Sequence, residues 1–264
     1  MCRLLAYLGP PVSLERLLVD PPHSLLHQSW APRHQRHGTI NADGWGVGWY
    51  DVTRRAEPAR HRTPRPMWAD RSFATWAGLV DASAMLAAVR SATPPAPVEE
   101  SGTPPFLAGR WLFAHNGAVD GFRTEVGARL RRLVSDRRTA GIEGASDSEV
   151  LFALVLDHLD GGASAEQALA EVVGVVLEST TARLNLVLTD GHRVAATACG
   201  DSLSVLSGVG LARGGSLVAS EPCDDHPDWE AVPEGSVVVA TPEDMTVTTL
   251  ARAREHWAGR PAGT

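Results

Sequence analysis

The apolar positions change period along the chain. Residues 3–8 form a compact apolar run that starts immediately after Cys2, and Trp45–Tyr50 forms another behind a glycine-rich turn; both are predicted strands. Residues 85–90 and 111–115 are short apolar runs that end in polar side chains. That is the pattern of buried strands delivering functional groups at their ends. Residues 54–66, rich in proline and arginine, and residues 93–105, rich in proline, are predicted loops inside one folded unit spanning residues 1–264.

At residue 146 the period becomes helical. Ser146-Asp147-Ser148-Glu149 has the form of a capping box, and Val150, Leu151, Leu154, Val155 and His158 continue on one helical face until Gly161-Gly162. Ser164 opens a second predicted helix that runs to about Leu177. Alternation returns at residues 184–188, 194–198, 216–220, 237–240 and 246–250, with turn residues between them. Strands at both ends with helices between them predict an α+β fold. Two sheets packed face to face under helices is one arrangement that periodicity allows.

Composition narrows the chemistry. With 264 residues and 44% hydrophobic content the chain can bury a large core, and a net charge of -7 offers no uniformly basic surface for nucleic acid. No apolar run reaches the length that crosses a bilayer, and no leader-like segment opens the chain, so a cytoplasmic protein without a membrane partner is expected. Three cysteines, Cys2, Cys199 and Cys223, have no metal-ligand spacing. All 24 basic residues are arginine, which excludes Schiff-base, phosphate-loop lysine and serine-lysine chemistries. The α-amine at the N-terminus is then the ordinary aliphatic amine on offer.

Cysteine at position 2 is small enough for the initiator methionine to be trimmed, which places a thiol and a free α-amine on one residue. An α-amine titrates near 7.7–8.0 and can serve as general base toward its own side chain. Alone this is weak evidence, because a small residue opening a buried strand looks the same. Other motifs accompany it in order: NADGWGVGW at 41–49, VRSAT at 89–93, AHNGAV at 114–119 and SDSE at 146–149. Together with Met-Cys-Arg they resemble the class II glutamine amidotransferase family across roughly the first 160 residues.

The resemblance implies the four-layer αββα sandwich of two mainly antiparallel sheets found in N-terminal-nucleophile hydrolases. It implies Cys2 as nucleophile, with Asn116 and Gly117 supplying donors to the tetrahedral oxyanion. It implies Arg90 as clamp for an α-carboxylate, Asp147 as acceptor for an α-ammonium, and Thr93 as a secondary contact. Each motif also has a plainer reading: a tight turn for Asn116-Gly117, a helix-dipole carboxylate for Asp147, and a turn leading into a strand for the glycines of NADGWGVGW. The functional alternative for those glycines is close approach to the N-terminus.

The chain departs from the family at Ala88 and at Pro104-Pro105, where many members carry a histidine and a His-Pro pair. No catalytic histidine is therefore assigned. His115 reads as a structural partner, and the His23/His27 and His34/His37 pairs lack a third ligand, so no metal and no organic cofactor are expected. Compact length and QSWAP at 28–32 resemble the stand-alone γ-glutamyl hydrolases of ergothioneine biosynthesis, which release glutamate from γ-glutamyl-hercynylcysteine sulfoxide. Trp30 is the candidate, among eight tryptophans, to face the trimethylammonium of that substrate. A glutaminase subunit delivering ammonia to a synthetase and a non-catalytic γ-glutamyl-binding module are the alternatives, and oligomeric state stays open.

Overall fold

The computed structural model describes residues 2–51, 53–93 and 96–258, the last four as backbone only. Its strands are β1 (Arg3–Ser13), β2 (Trp45–Tyr50), β3 (Ala59–Thr63), β4 (Asp81–Val89), β5 (Phe106–Ala108), β6 (Trp111–Val119) and β7 (Ala182–Thr189). They continue with β8 (Val194–Ala198), β9 (Ser204–Ser207), β10 (Ser216–Ala219), β11 (Glu230–Ala231), β12 (Ser236–Ala240) and β13 (Met245–Thr249). Two sheets result, ordered β11-β9-β10-β1-β4-β2-β3 and β13-β12-β8-β7-β6-β5. Every pairing is antiparallel.

Period-two alternation divides each strand between two cores. Leu4, Ala6 and Leu8 of β1 and Leu86 and Ala88 of β4 face Leu112, Ala114, Val187, Ala196 and Val238 of the other sheet. Leu5 and Tyr7 turn outward to Leu14, Leu17, Leu25 and Phe73. On the far side Phe113, Leu184, Leu186 and Leu188 pack against Val150, Leu151, Val172 and Val173 of the Asp147–Asp160 and Ala165–Leu177 helices. The result is the α+β, αββα layering expected from the motifs. Burial on both faces is why β1, β4 and β6 read as continuous apolar runs rather than as alternation.

Both long helices begin where their capping residues stand. Ser146 accepts from Glu149 N while Glu149 reaches back to Ser146, and Ser164 and Gln167 repeat the box. Each orphan N–H so satisfied contributes about 1 kcal/mol. No helix among the described residues is long and apolar enough to cross a membrane.

Three local expectations need correction. Residues 54–66 are not all loop, because β3 pairs with β2 from Trp45↔Thr63 to Trp49↔Ala59. It is an edge strand of half-exposed residues, Ala-Arg-His-Arg-Thr, with no buried face to give a periodic signal. Asn116-Gly117 is not a turn, since both lie inside β6, paired with Asn185 and Leu184. Leu250 opens a helix (Leu250–Ala258) instead of ending a strand. Residues 96–105 contain neither helix nor strand, as expected of a proline-rich loop.

Candidate active site

The site lies where the ends of the two sheets meet. Cys2 directly precedes β1, and β4 beside it pairs Val89 with Arg3, so the next residue, Arg90, emerges at the same edge. From the opposing sheet β6 brings Asn116 and Gly117, and the Asp147–Asp160 helix directs its first turn to the same point. Cys2, Arg90, Thr93, Gly117 and Asp147 line one cavity of about 290 Å³. Asn116 joins them through its side chain, whose Oδ1 accepts a hydrogen bond from Cys2 N at 3.0 Å.

That contact decides what the Asn116 amide can still do. With Oδ1 engaged, its Nδ2 remains a buried donor with no hydrogen-bond partner. An unpaired buried donor costs about 1–3 kcal/mol, a cost that an oxyanion bound beside Cys2 would relieve. Gly117 is obligatory for a different reason: a Cβ there would stand 1.8 Å from the Arg183 carbonyl oxygen and 2.6 Å from His115 Nε2. His115 is held between Ser148 Oγ (3.0 Å) and Arg183 O (2.9 Å), so it braces β6 against its neighbours.

Arg90 is 6% exposed, yet no ion pair among the described residues takes its charge. Its guanidinium donates to Asp43 O (3.3 Å) and Pro97 O (3.1 Å). A cation oriented by neutral carbonyls keeps its full attraction for an arriving carboxylate. The NADGWGVGW segment supplies this mounting. Asp43 N donates to Arg90 O, Arg90 N to Gly44 O, and Ala92 N to Asp43 Oδ2 at 2.8 Å. Asp43 was therefore missed as a positioning residue, although it sits in the motif.

The glycines of that segment do not serve close approach to the N-terminus. A Cβ at Gly44 would meet Thr103 Oγ1 at 2.7 Å, at Gly46 Pro104 O at 2.5 Å, and at Gly48 the Leu112 side chain at 2.6 Å. They let β2 lie against Thr103, Pro104 and Leu112, of which Pro104 lines the cavity. Asp147 stands at the first turn of its helix and lines the cavity: Oδ2 accepts from Val119 N (3.0 Å) and Oδ1 from Ser148 N (2.8 Å).

Behind Cys2, Arg3 is wholly buried and its Nε donates to Cys2 O at 2.8 Å. Its Nη1 lies 3.5 Å from Glu221 Oε2, and Glu221 also accepts from Arg33 N (2.9 Å) and His34 N (2.7 Å). Burial lowers the Arg3 pKa, against the opposing pull of Glu221, Asp201 and Cys2. Asp201 shows the converse: burial raises its carboxyl, and Arg3 and Arg183 oppose the rise. This network pins the Cys2 carbonyl, so the first strand cannot fray at its reactive end.

Residues 1–209 match the family model of the class-II glutamine amidotransferases. The chain belongs to that family. Among curated class-II relatives it is 43% identical to the γ-glutamyl-hercynylcysteine sulfoxide hydrolase of Mycobacterium tuberculosis (strain H37Rv), covering 96% of this chain and 99% of that protein. It is 41% identical to the enzyme of the same name from Mycolicibacterium smegmatis, covering 95% and 100%. A solved glutamine aminotransferase class-II domain protein from Silicibacter pomeroyi superposes with TM-score 0.66 at 27% identity, covering 94% of this chain and 99% of that one.

Ala88 is buried in the sheet between Leu4 and Gly46 and packs in the core between the two sheets. Pro104 lines the cavity and joins Pro105 through a cis peptide bond. Trp30 is not brought to the site. It is 44% exposed and packs edge-on against His27 and Trp68, outside the lining of the Cys2 cavity. His23 pairs with Asp225 at 3.2 Å, and among the described residues no His, Cys, Asp and Glu cluster is placed to hold a metal. Removal of Met1 concerns a residue outside the described ones.

The cysteines differ sharply in environment. Burial pushes the thiols of Cys199 and Cys223 up, while Cys2 is half-buried at the cavity. Since the thiolate is the reactive form, iodoacetamide at pH 8 is expected to label Cys2 alone in the folded protein and all three cysteines in denaturant. Peptide mapping reads this, and labelling of Cys199 or Cys223 at the rate of Cys2 would refute it.

Proposed function

We propose that the chain hydrolyses the γ-glutamyl amide of γ-glutamyl-hercynylcysteine sulfoxide, releasing glutamate and hercynylcysteine sulfoxide. The observation that carries the reading is one cavity lined by Cys2, Arg90, Gly117 and Asp147, with Asn116 bonded to the Cys2 nitrogen. It offers a nucleophile, a cation, an anion and unspent donors, which are the complements of a zwitterionic γ-glutamyl group at its reacting carbonyl.

In this scheme Arg90 binds the α-carboxylate and Asp147 the α-ammonium, and Thr93 is a secondary contact. The α-amine of Cys2 takes the thiol proton as sulfur attacks the γ-carbonyl. The developing oxyanion is met by Asn116 Nδ2 and Gly117 N–H. Collapse expels the leaving amine, which receives the proton from the α-ammonium, and leaves a γ-glutamyl thioester. Water, deprotonated by the same α-amine, then attacks the thioester and restores the thiol. Residues of the chain supply every group used.

The leaving group rests on kinship. The two mycobacterial proteins named as hydrolases of this sulfoxide are matched over nearly their whole lengths. The test compares kcat/KM for the sulfoxide substrate and for glutamine with the purified protein. Preference for the sulfoxide supports the proposal. Preference for glutamine, with ammonia passed to a co-purifying synthetase, would replace it with the glutaminase-subunit reading.

A further inference from the structure

The cavity contains one cation more than a γ-glutamyl group can use. Arg90 and Asp147 match the α-carboxylate and α-ammonium of the acyl part, and Arg123 lines the same cavity at its exposed rim. Among the described residues no hydrogen bond or ion pair engages the Arg123 guanidinium. Asp120, the acid on the same rim, accepts from Thr181 Oγ1 through Oδ2 at 2.7 Å, and among the described residues it forms no ion pair with Arg123.

The position of Arg123 is defined by its neighbours. It stands in the turn that leaves β6, three residues after Asp120, and that turn is closed by Phe122 N to Val119 O (3.2 Å) and Thr124 N to Gly121 O (2.9 Å). Phe122 is anchored in the helix-covered core, with the Arg131 guanidinium over its ring at 4.6 Å, and the Glu125–Leu133 helix starts directly after Thr124. The backbone carrying Arg123 is therefore continuous with the strand that carries Asn116 and Gly117.

We infer that Arg123 forms a subsite for a carboxylate on the leaving amine, and so selects γ-glutamyl amides of α-amino acids over glutamine and simple γ-glutamyl amides. The inference rests on the hydrolase reading above and specifies its substrate class. When the leaving amine is an amino acid, a carboxylate sits on the carbon bonded to the scissile nitrogen, beyond the glutamyl part that Arg90 and Asp147 take up. Ammonia and alkylamines carry nothing there. A planar guanidinium at the rim matches that carboxylate with two parallel N–H donors.

The experiment uses two substrates that differ by that one group, γ-glutamylalanine and γ-glutamylethylamide. The wild type is expected to prefer the first in kcat/KM. Arg123→Gln is expected to cut the preference about 10- to 100-fold, the effect of one lost charge-assisted hydrogen bond. Arg123→Lys should retain part of it, and cleavage of γ-glutamylethylamide should be unchanged in both variants. An equal loss on both substrates, or an unaltered ratio in Arg123→Gln, overturns the subsite while leaving hydrolysis by Cys2 standing. Cleavage of neither amide by a wild type that hydrolyses the sulfoxide substrate overturns the stated substrate class and leaves the hydrolase reading standing, whereas hydrolysis of none of the three sinks both.

Discussion

Cys2→Ala is expected to lower γ-glutamyl hydrolysis on the order of 10⁴-fold or more, because it removes the atom that forms the thioester and leaves only binding and the oxyanion donors. The loss should appear in kcat, with substrate affinity kept, since Arg90 and Asp147 do not depend on the thiol. The fold should be indifferent: Cys2 is half-buried at the start of β1, and its backbone is held by Asn116 Oδ1 and Arg3 Nε. A melting temperature within a few degrees of wild type is the matching control. A second readout is a γ-glutamyl diazoketone, expected to add to Cys2 in the wild type and to nothing in the variant by intact mass. Retained turnover in Cys2→Ala, or an adduct on Cys199 or Cys223, would defeat the assignment.

Gly117→Ala is expected to harm both stability and activity. The new methyl would meet Arg183 O at 1.8 Å and Arg183 C at 2.6 Å, which are backbone atoms of the paired strand β7. β6 lies between β5 and β7 and cannot move aside without breaking one of its ladders. Overpacking against backbone costs about 3 kcal/mol, the upper end of the usual range, which for a domain of this size lowers the melting temperature by about 6–12 °C. Displacing this peptide also moves the N–H proposed to meet the oxyanion, so kcat should fall about 10²- to 10³-fold in the protein that remains folded. Gly141→Ala is the control. The nearest atom to its added Cβ is Arg138 O at 3.5 Å, an ordinary contact. A Gly117→Ala protein that melts and turns over like Gly141→Ala would show the strand to be less constrained than described.

Local signals in the sequence served well where one segment carries its own explanation. Ser146 and Glu149 specify a helix start within four residues, and β2 and β8 fall where the apolar runs at 45–50 and 194–198 place them. They served poorly where the signal depends on burial supplied from elsewhere. β3 is polar and half-exposed and exists because β2 offers it an edge. Asn-Gly is a turn dipeptide by local propensity, but pairing with Asn185 and Leu184 on β7 overrides that preference. Trp30 looked available for a ligand because it lies in a polar segment, whereas its ring is taken by His27 and Trp68.

What the sequence determined by itself was a set of candidate groups, a cysteine able to become the first residue, an arginine at a strand end, an Asn-Gly pair and an aspartate at a helix start, to which the family resemblance attaches roles. What only the tertiary structure decided was their meeting. Cys2 N and Asn116 Oδ1 are 114 residues apart in the chain and 3.0 Å apart in space, because two separately hydrogen-bonded sheets stack on a shared apolar face. The free cation at the cavity rim likewise became visible only there. Whether an arginine is already paired depends on every acid the fold brings near it, and no spacing along the chain records that.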